Sequence, residues 1–274
     1  MIDASKRNKL SKIAGRFDDK SITAVNDEVI EWAQKRENEI EHLMKLEDYR
    51  RSFLGNISHE LKTPIFSLQG YVDTLIEGGV YDEAINMKYL KKASKNIDRL
   101  EKIVNDLEEI NQLQSGNIKL NIETFSIEEL ALEIFDDLKF MADEDGTKLV
   151  INKDSSDFKV KADRERITQV LLNLVANAIK YGGLRGQVRL SFYDVADKVL
   201  VEVEDEGPGI EEKHLNHLFD RFYRVDEGRS RKHGGSGLGL SIVKHIMEAH
   251  DQSVSARSTV GKGTTLGFTL EKGK

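Results

Sequence analysis

The sequence Phe53-Leu-Gly-Asn-Ile-Ser-His59-Glu60-Leu-Lys-Thr63-Pro64 places a histidine beside an acid and one helical turn before a hydroxyl. On a helix, His59 and Thr63 share a face. Glu60 is turned by about 100° and borders that face. Phe53, Ile57 and Leu61 fall on another stripe, which can be buried. That leaves the imidazole outward, next to a base and a polar group able to hold a water. A neutral imidazole is a nucleophile towards a phosphoryl group, and an adjacent carboxylate can orient one ring nitrogen and take its proton as the other attacks. Pro64 removes the helical hydrogen bond to Glu60 and is expected to bend the helix there. Alone, these residues also describe a surface histidine on an amphipathic helix; a phosphoryl donor elsewhere in the chain decides between the two.

Residues 163–181 supply a candidate. Ile167, Val170, Leu171, Leu174 and Ala178 form an apolar stripe. Gln169, Asn173, Asn177 and Lys180 or Tyr181 form a second, polar one at helical spacing. A solvent face is usually built from Glu and Lys, not amides. An Asn oxygen suits Mg²⁺, which keeps most of its waters and takes one or two protein ligands plus phosphates. Lys180 offers a point charge for phosphate. Downstream, Asp205-Glu-Gly207-Pro-Gly209 ends a hydrophobic run with an acid and a glycine turn, where backbone can approach a planar ligand. Gly234-Gly235-Ser-Gly237-Leu238-Gly239 then leads into a helix, presenting N–H groups to phosphates. It is not a Walker loop, because no Gly-Lys-Ser/Thr follows, and it does not sit in the first βαβ unit of a dinucleotide fold.

The string around His59 resembles the H box of sensor histidine kinases of two-component systems. The helix 163–181 resembles the N box of the Bergerat-type ATPases, the superfamily of these kinases, gyrase and one class of heat-shock chaperones. Asp205 to Gly209 resembles the G1 box, and Phe219-Asp-Arg221-Phe222-Tyr223-Arg224 the F box. Gly234 to Leu240 resembles the G2 box, and Gly261-Lys-Gly-Thr-Thr265 the G3 turn. Each glycine motif is weak alone; their order and spacing together are specific. The resemblance implies His59 as phosphoacceptor, Glu60 as its base and orienter, and Thr63 as a residue positioning a water for dephosphorylation of the partner. It implies Asn177 as the Mg²⁺ ligand and Asn173 as its neighbour. Lys180, Tyr181, Arg224, Gly235, Gly237, Leu238, Gly239 and Thr265 would contact nucleotide, with Gly207 and Gly209 shaping the turn. Asp205 would accept a hydrogen bond from the adenine amino group. Residues 226–233 are charged and fit a mobile lid.

Hydrolytic members of the superfamily place a glutamate at the position of Asn173, where it activates water; an amide is a poor base. That departure favours transfer to a side chain over hydrolysis. Asp251-Gln252 stands where relatives often have glycine and is expected to re-route one surface turn. The helix around Val29-Ile-Glu-Trp32-Ala33 is loosely similar to sensor kinases of the PhoR type.

These residues need two kinds of scaffold. Val25, Val29 and Trp32, then Leu43, Leu46, Arg50, Phe53 and Ile57, follow one another at steps of three and four, with the seam interrupted at Arg36 and Glu39 and Ile40 one place out of phase. The pattern continues to Leu75 and Ile76 and stops at Gly78-Gly79. A second amphipathic helix is expected from Asp82 to Leu113. Two such helices make an antiparallel hairpin whose exposed apolar face should dimerise into a four-helix bundle. After Gly116 the pattern changes. A strand is expected over 118–122, a helix capped by Ser126 with Glu129, strands over 148–153 and 158–162, and a helix capped by Asp163. Two strands follow, over 188–193 and 199–203. The expected fold is therefore multi-domain: an all-α hairpin followed by an α+β sandwich of the Bergerat type. The expected domains are a polar segment and signalling-helix linker over 1–44, a dimerisation and histidine phosphotransfer domain over 45–117, and a catalytic ATP-binding domain over 118–274.

Composition narrows the partners. The formal charge is −7 with basic and acidic residues interleaved, which argues against a general nucleic-acid surface. There are no cysteines, so neither disulfides nor thiolate metal sites exist. The seven histidines form no convincing ligand cluster in the sequence. No run of 18 apolar residues occurs. The resemblance implies a homodimer that uses ATP and Mg²⁺ and passes phosphate to a response regulator receiver domain. It further implies the cytoplasmic portion of an inner-membrane sensor, with its anchor in an absent N-terminal part. Two other readings are a nucleotide-binding scaffold without transfer and a hydrolytic ATPase.

Overall fold

The computed structural model describes residues 19–114, 119–152, 158–225 and 236–273. The chain divides into two units, residues 1–57 and 58–274. Helix α1 runs over Asp19–Ile76 and is continuous through Pro64, which is buried. Val29, Trp32 and Leu43 on its early turns are exposed, with Arg36 over the Trp32 ring at 5.8 Å and paired to Glu39 at 2.7 Å.

Within the second unit, α1 ends where Gly78 takes φ 115°, a conformation that side chains disfavour. A short 3₁₀ turn, Gly79–Tyr81, leads to α2, Asn86–Gln114. Helix α2 starts four residues later than expected because Asp82 accepts the Ala84 N–H at 2.8 Å and holds a turn there. Leu75, Ala93, Ile103 and Ile110 are buried, and Tyr71 stacks obliquely on Tyr89 at 5.5 Å.

The rest of the unit is one mixed sheet covered by helices. Strand β1 is Ile122–Ser126, followed by α3, Ile127–Asp145, and β2, Lys148–Asn152. Then come β3, Lys159–Asp163, and α4, Arg164–Tyr181. Strands β4, Gln187–Val195, and β5, Lys198–Asp205, form a hairpin. A one-turn helix α5, Glu212–Leu215, precedes α6, Gly239–Ala249, and the strands β6, Val254–Thr259, and β7, Gly263–Lys272. Among the described residues the sheet has seven strands in the order β1-β3-β7-β5-β4-β2, with β6 also on β7. Only β2 and β4 pair in parallel.

Two caps were legible in the sequence and are present. Ser126 accepts the Glu129 N–H and Asp163 the Arg166 N–H. The first strand lies at 122–126, not 118–122, because antiparallel pairing to β3 sets it: Ile122 stands opposite Asp163. Alternation along β4 and β5 buries Val188, Leu190 and Phe192 against Val199, Val201 and Val203. Helix α4 buries Ile167, Val170, Leu171, Leu174, Val175, Ala178 and Ile179, and α6 buries Ile242, Val243, Ile246 and Met247. Ile110 of α2 belongs to this same core, so the hairpin and the sandwich share apolar packing. The expected all-α hairpin followed by an α+β sandwich is the fold observed. Asp251 adopts φ 55° at the turn after α6, and the neighbouring Gln252 accepts the Thr269 hydroxyl at 3.0 Å.

Candidate active site

His59 lies on α1, exposed, while Leu61 is half-buried and Pro64 fully so. The polar side of the helix therefore presents the imidazole. Thr63 is exposed and donates its hydroxyl proton to the His59 carbonyl at 3.1 Å. Its oxygen lone pairs remain available to a water. Glu60 is turned away from solvent. One carboxylate oxygen accepts from Arg99 of α2 at 2.9 Å, and the other lies 3.7 Å from Arg224, which follows the F-box aromatics. Both arginines are largely buried, with side-chain exposures of 18% and 11%.

Two more polar contacts bind α2 to the sandwich. Ser236, at the start of the G2 residues, donates to Asp106 at 2.7 Å. Glu109 accepts from Arg166 at 2.9 Å and from the Gln169 amide. Burial raises the pKa of both Asp106 and Glu109, partly offset by these hydrogen bonds and nearby cations.

The nucleotide-site candidates converge at one end of α4. Asn173, Asn177 and Lys180 are half-buried on the face opposite the core stripe, and Tyr181 is exposed. Lys180 Nζ lies 5.2 Å above the Tyr181 ring. Burial and then the neighbouring Arg224, Lys102 and Arg99 charges depress the Lys180 pKa to about 8. Asp205 ends β5. Its carboxylate accepts the Gly207 N–H at 2.8 Å, and burial raises its pKa against backbone hydrogen bonds from Gly207 and Thr264. A Cβ at Gly207 would fall 2.3 Å from the Tyr181 carbonyl, and one at Gly209 would fall 2.1 Å from the Thr259 carbonyl. Only glycine allows the G1 turn to nest against α4 and the β6 end. Thr265 is half-buried opposite Glu204 and Arg257 in the sheet. The buried threonine beside Asp205 is Thr264, whose hydroxyl meets Ser258 at 3.0 Å.

The G2 residues close the site on a third side. Leu238 is fully buried, its N–H reaches Ser236 Oγ at 3.3 Å, and its carbonyl accepts the first N–H of α6 at Ile242. A Cβ at Gly239 would sit 3.1 Å from Asn173 Oδ1, so the start of α6 passes directly over the Asn173 amide. Phe222 takes φ 60°, an uncommon conformation for an aromatic residue, and its N–H donates to the Gly237 carbonyl at 2.9 Å. This clasp joins the F box to the G2 loop. Arg221 adds a second tie, donating to His245 Nε2 of α6 at 2.7 Å. Burial and then the Arg221 charge lower the His245 pKa, in keeping with a neutral imidazole acceptor. Gly235 and the expected lid at 226–233 lie outside the described residues.

The donor set fits a magnesium nucleotide. Asn173 and Asn177 are half-buried one helical turn apart on α4, and Asn173 Oδ1 lies against Gly239 at the start of α6. An amide oxygen suits Mg²⁺, which needs few protein ligands when phosphates complete its shell. Arg99 and Lys102 escaped the sequence reading, since nothing local distinguishes them from other basic residues on α2.

Comparison with known proteins agrees with this geometry. Residues 162–274 match the family described as histidine kinase-, DNA gyrase B-, and HSP90-like ATPase, and residues 49–116 match the His Kinase A (phospho-acceptor) domain. The chain is 36% identical over 268 residues to the sensor histidine kinase WalK of Bacillus subtilis, covering 93% of this chain and 43% of that protein. It is 32% identical over 237 residues to the sensor protein kinase WalK of Staphylococcus aureus, covering 85% and 56%. The chain thus spans about half the length of the curated relatives it matches. Among solved structures, it superposes on the Acinetobacter baumannii histidine kinase AdeS with a TM-score of 0.64 at 27% identity, covering 79% of this chain and 98% of that one. It superposes on the histidine kinase ThkA, solved with the response regulator protein TrrA, with a TM-score of 0.66 at 25% identity, covering 81% and 61%. The chain therefore carries, in this order, a His Kinase A phosphoacceptor domain and a histidine kinase-like ATPase domain, the two-domain core of the two-component sensor histidine kinases to which it is similar.

Proposed function

We propose that the chain is an ATP-dependent protein-histidine kinase that phosphorylates itself on His59 and passes the phosphoryl group to an aspartate of a separate response regulator. The observation behind it is the Glu60–Arg224 contact at 3.7 Å, which sets the histidine's neighbouring carboxylate against the nucleotide domain. Asp205 accepts a hydrogen bond from the adenine amino group, within the turn made by Gly207 and Gly209. The G2 residues Gly235, Gly237, Leu238 and Gly239 take the phosphates, and Lys180, Tyr181, Arg224 and Thr265 contact the nucleotide. Asn177, with Asn173 beside it, would hold Mg²⁺, which would neutralise phosphate charge there. The lone pair of one His59 ring nitrogen attacks the γ-phosphorus. The bond from phosphorus to the bridging oxygen breaks, ADP leaves with the electron pair, and Glu60 takes the proton from the other ring nitrogen. To act as base, Glu60 must release one of its two arginines. Positioning and charge neutralisation dominate such a rate.

The receiver-domain partner rests on the relationship to ThkA, which is solved with TrrA. A homodimer is supported by apolar residues left exposed on the hairpin: Ile65, Val72 and Ile76 on α1, and Met87, Leu90, Ile97 and Val104 on α2. The last four recur at steps of three, seven and seven, a seam that a second hairpin would cover. Thr63 would orient a water against the regulator's aspartyl phosphate, giving a phosphatase activity as well. We place this chemistry in the cytoplasm, where ATP and receiver domains are found. Among the described residues no helix is long and apolar enough to cross a membrane.

The test is incubation with Mg²⁺ and either γ- or α-labelled ATP. Kinase chemistry leaves an acid-labile, base-stable label from the γ position alone. Steady phosphate release with no phosphoprotein would instead support a hydrolytic ATPase, a reading the amide at Asn173 disfavours.

A further inference from the structure

Arg99, Lys102, Lys180 and Arg224 converge from two structural elements onto one place beside the H box. Lys180 and Arg224 belong to the sandwich; Arg99 and Lys102 belong to α2 of the hairpin. Burial, and then the Arg224, Lys102 and Arg99 charges, depress the Lys180 pKa. Two acids face them: Glu60, bound to Arg99 and Arg224, and Asp106, one turn from Lys102 and hydrogen-bonded to Ser236. Four cations against two carboxylates leave an excess of positive charge there, with Arg99 and Arg224 largely buried, Lys180 half-buried and Lys102 exposed. Arg99 Nε and Arg224 Nη2 are moreover buried without a hydrogen-bond partner. Buried, unpaired cationic donors are costly unless an anion completes them.

We propose that Arg99 and Lys102 are phosphate-binding residues, which together with Lys180 and Arg224 hold the terminal phosphoryl group of ATP beside His59. This rests on the kinase reading above and extends it: the hairpin supplies part of the nucleotide site as well as the acceptor. In the structure the Glu60 carboxylate lies against both arginines. The γ-phosphoryl takes its place, carrying more charge and three acceptor oxygens that suit planar guanidinium donors. That exchange frees Glu60 to take the imidazole proton. The N–P bond then forms as the bond to the bridging oxygen breaks, and the product ADP no longer presents a group to Arg99.

The discriminating measurement is calorimetric affinity for a non-hydrolysable β,γ-imido ATP against ADP, both with Mg²⁺, in the full chain. Wild type is compared with Arg99→Gln, Lys102→Met and Arg99→Lys, each checked for an unchanged circular dichroism spectrum. We expect the ratio of triphosphate to diphosphate affinity to fall roughly tenfold or more in Arg99→Gln and by a smaller factor in Lys102→Met. ADP affinity should stay within about twofold, and Arg99→Lys should recover part of the ratio, because charge returns without the second donor. A residue that merely orients Glu60 or supports the hairpin would leave the ratio untouched. An unchanged ratio in both Arg99→Gln and Lys102→Met overturns the proposal. The ratio decides even if wild type fails to label His59, an outcome that would sink the kinase reading alone.

Discussion

Lys180 is the residue whose chemistry is most exposed to experiment. Its pKa of about 8, set by burial and three cationic neighbours, lies well below the ordinary lysine range. A bound triphosphate favours the charged amine, so binding should draw a proton onto Lys180. Nucleotide affinity is then full below pH 8 and falls as pH rises through it. Calorimetry in buffers of different ionisation enthalpy should register proton uptake near pH 8 in wild type and none in Lys180→Met. The same lowered pKa carries a stability consequence of known sign. The unfolded chain binds this proton more tightly, so the charged Lys180 destabilises the free fold below pH 8, and the penalty fades as pH rises towards 10.5. Lys180→Met should accordingly raise the melting temperature of the nucleotide-free protein at pH 7 while weakening nucleotide binding. Thr63 permits a second separation. Its hydroxyl proton is committed to the His59 carbonyl, leaving only acceptor capacity for a water. Thr63→Ala should slow dephosphorylation of the phosphorylated regulator roughly tenfold, with autophosphorylation largely retained. Unimpaired dephosphorylation in a time course would remove Thr63 from that role.

Elements differ in how far the sequence foretells them. The caps Ser126 and Asp163 were legible because a side-chain oxygen satisfies N–H groups three residues away, a local event. Helix α4 was legible for a similar reason: its core and amide stripes repeat at helical spacing. Strand β1 was misplaced by four residues because its position depends on pairing with β3, some forty residues on, and local alternation carries no record of that partner. Arg99 and Lys102 were invisible for the same reason; their meaning comes from Arg224 and Lys180, on another element. Asp163 has more at stake than its cap. It also accepts the Asn121 N–H at 2.9 Å, tying the segment before β1 to the start of α4. Asp163→Ala should therefore cost about 1–2 kcal/mol in urea denaturation, near the upper end for a lost cap. A loss of only a few tenths would mean that water replaces the carboxylate at both sites.

At the scale of the whole molecule, kinase chemistry requires that an acceptor on a helical hairpin meet a donor in a sandwich. In residues 58–274 the two are joined by a shared apolar core at Ile110 and by three polar contacts, from Glu60, Asp106 and Glu109. With Glu60 as the proposed base, docking and chemistry would compete for one carboxylate. The hairpin leaves an apolar seam uncovered. Replacing its central member, as in Ile97→Glu, should convert a dimer to a species of half the mass by light scattering, since a buried unpaired carboxylate is strongly disfavoured at an interface. On the proposed reading, His59 receives the γ-phosphoryl of a nucleotide bound through Asn177. The most direct test is γ-labelled ATP with Mg²⁺ on wild type, His59→Gln and Asn177→Ala side by side. The prediction is label on wild type, lost from both variants, with His59→Gln still binding nucleotide. Label persisting on His59→Gln, or a wild type that binds nucleotide yet never takes up label, would contradict it.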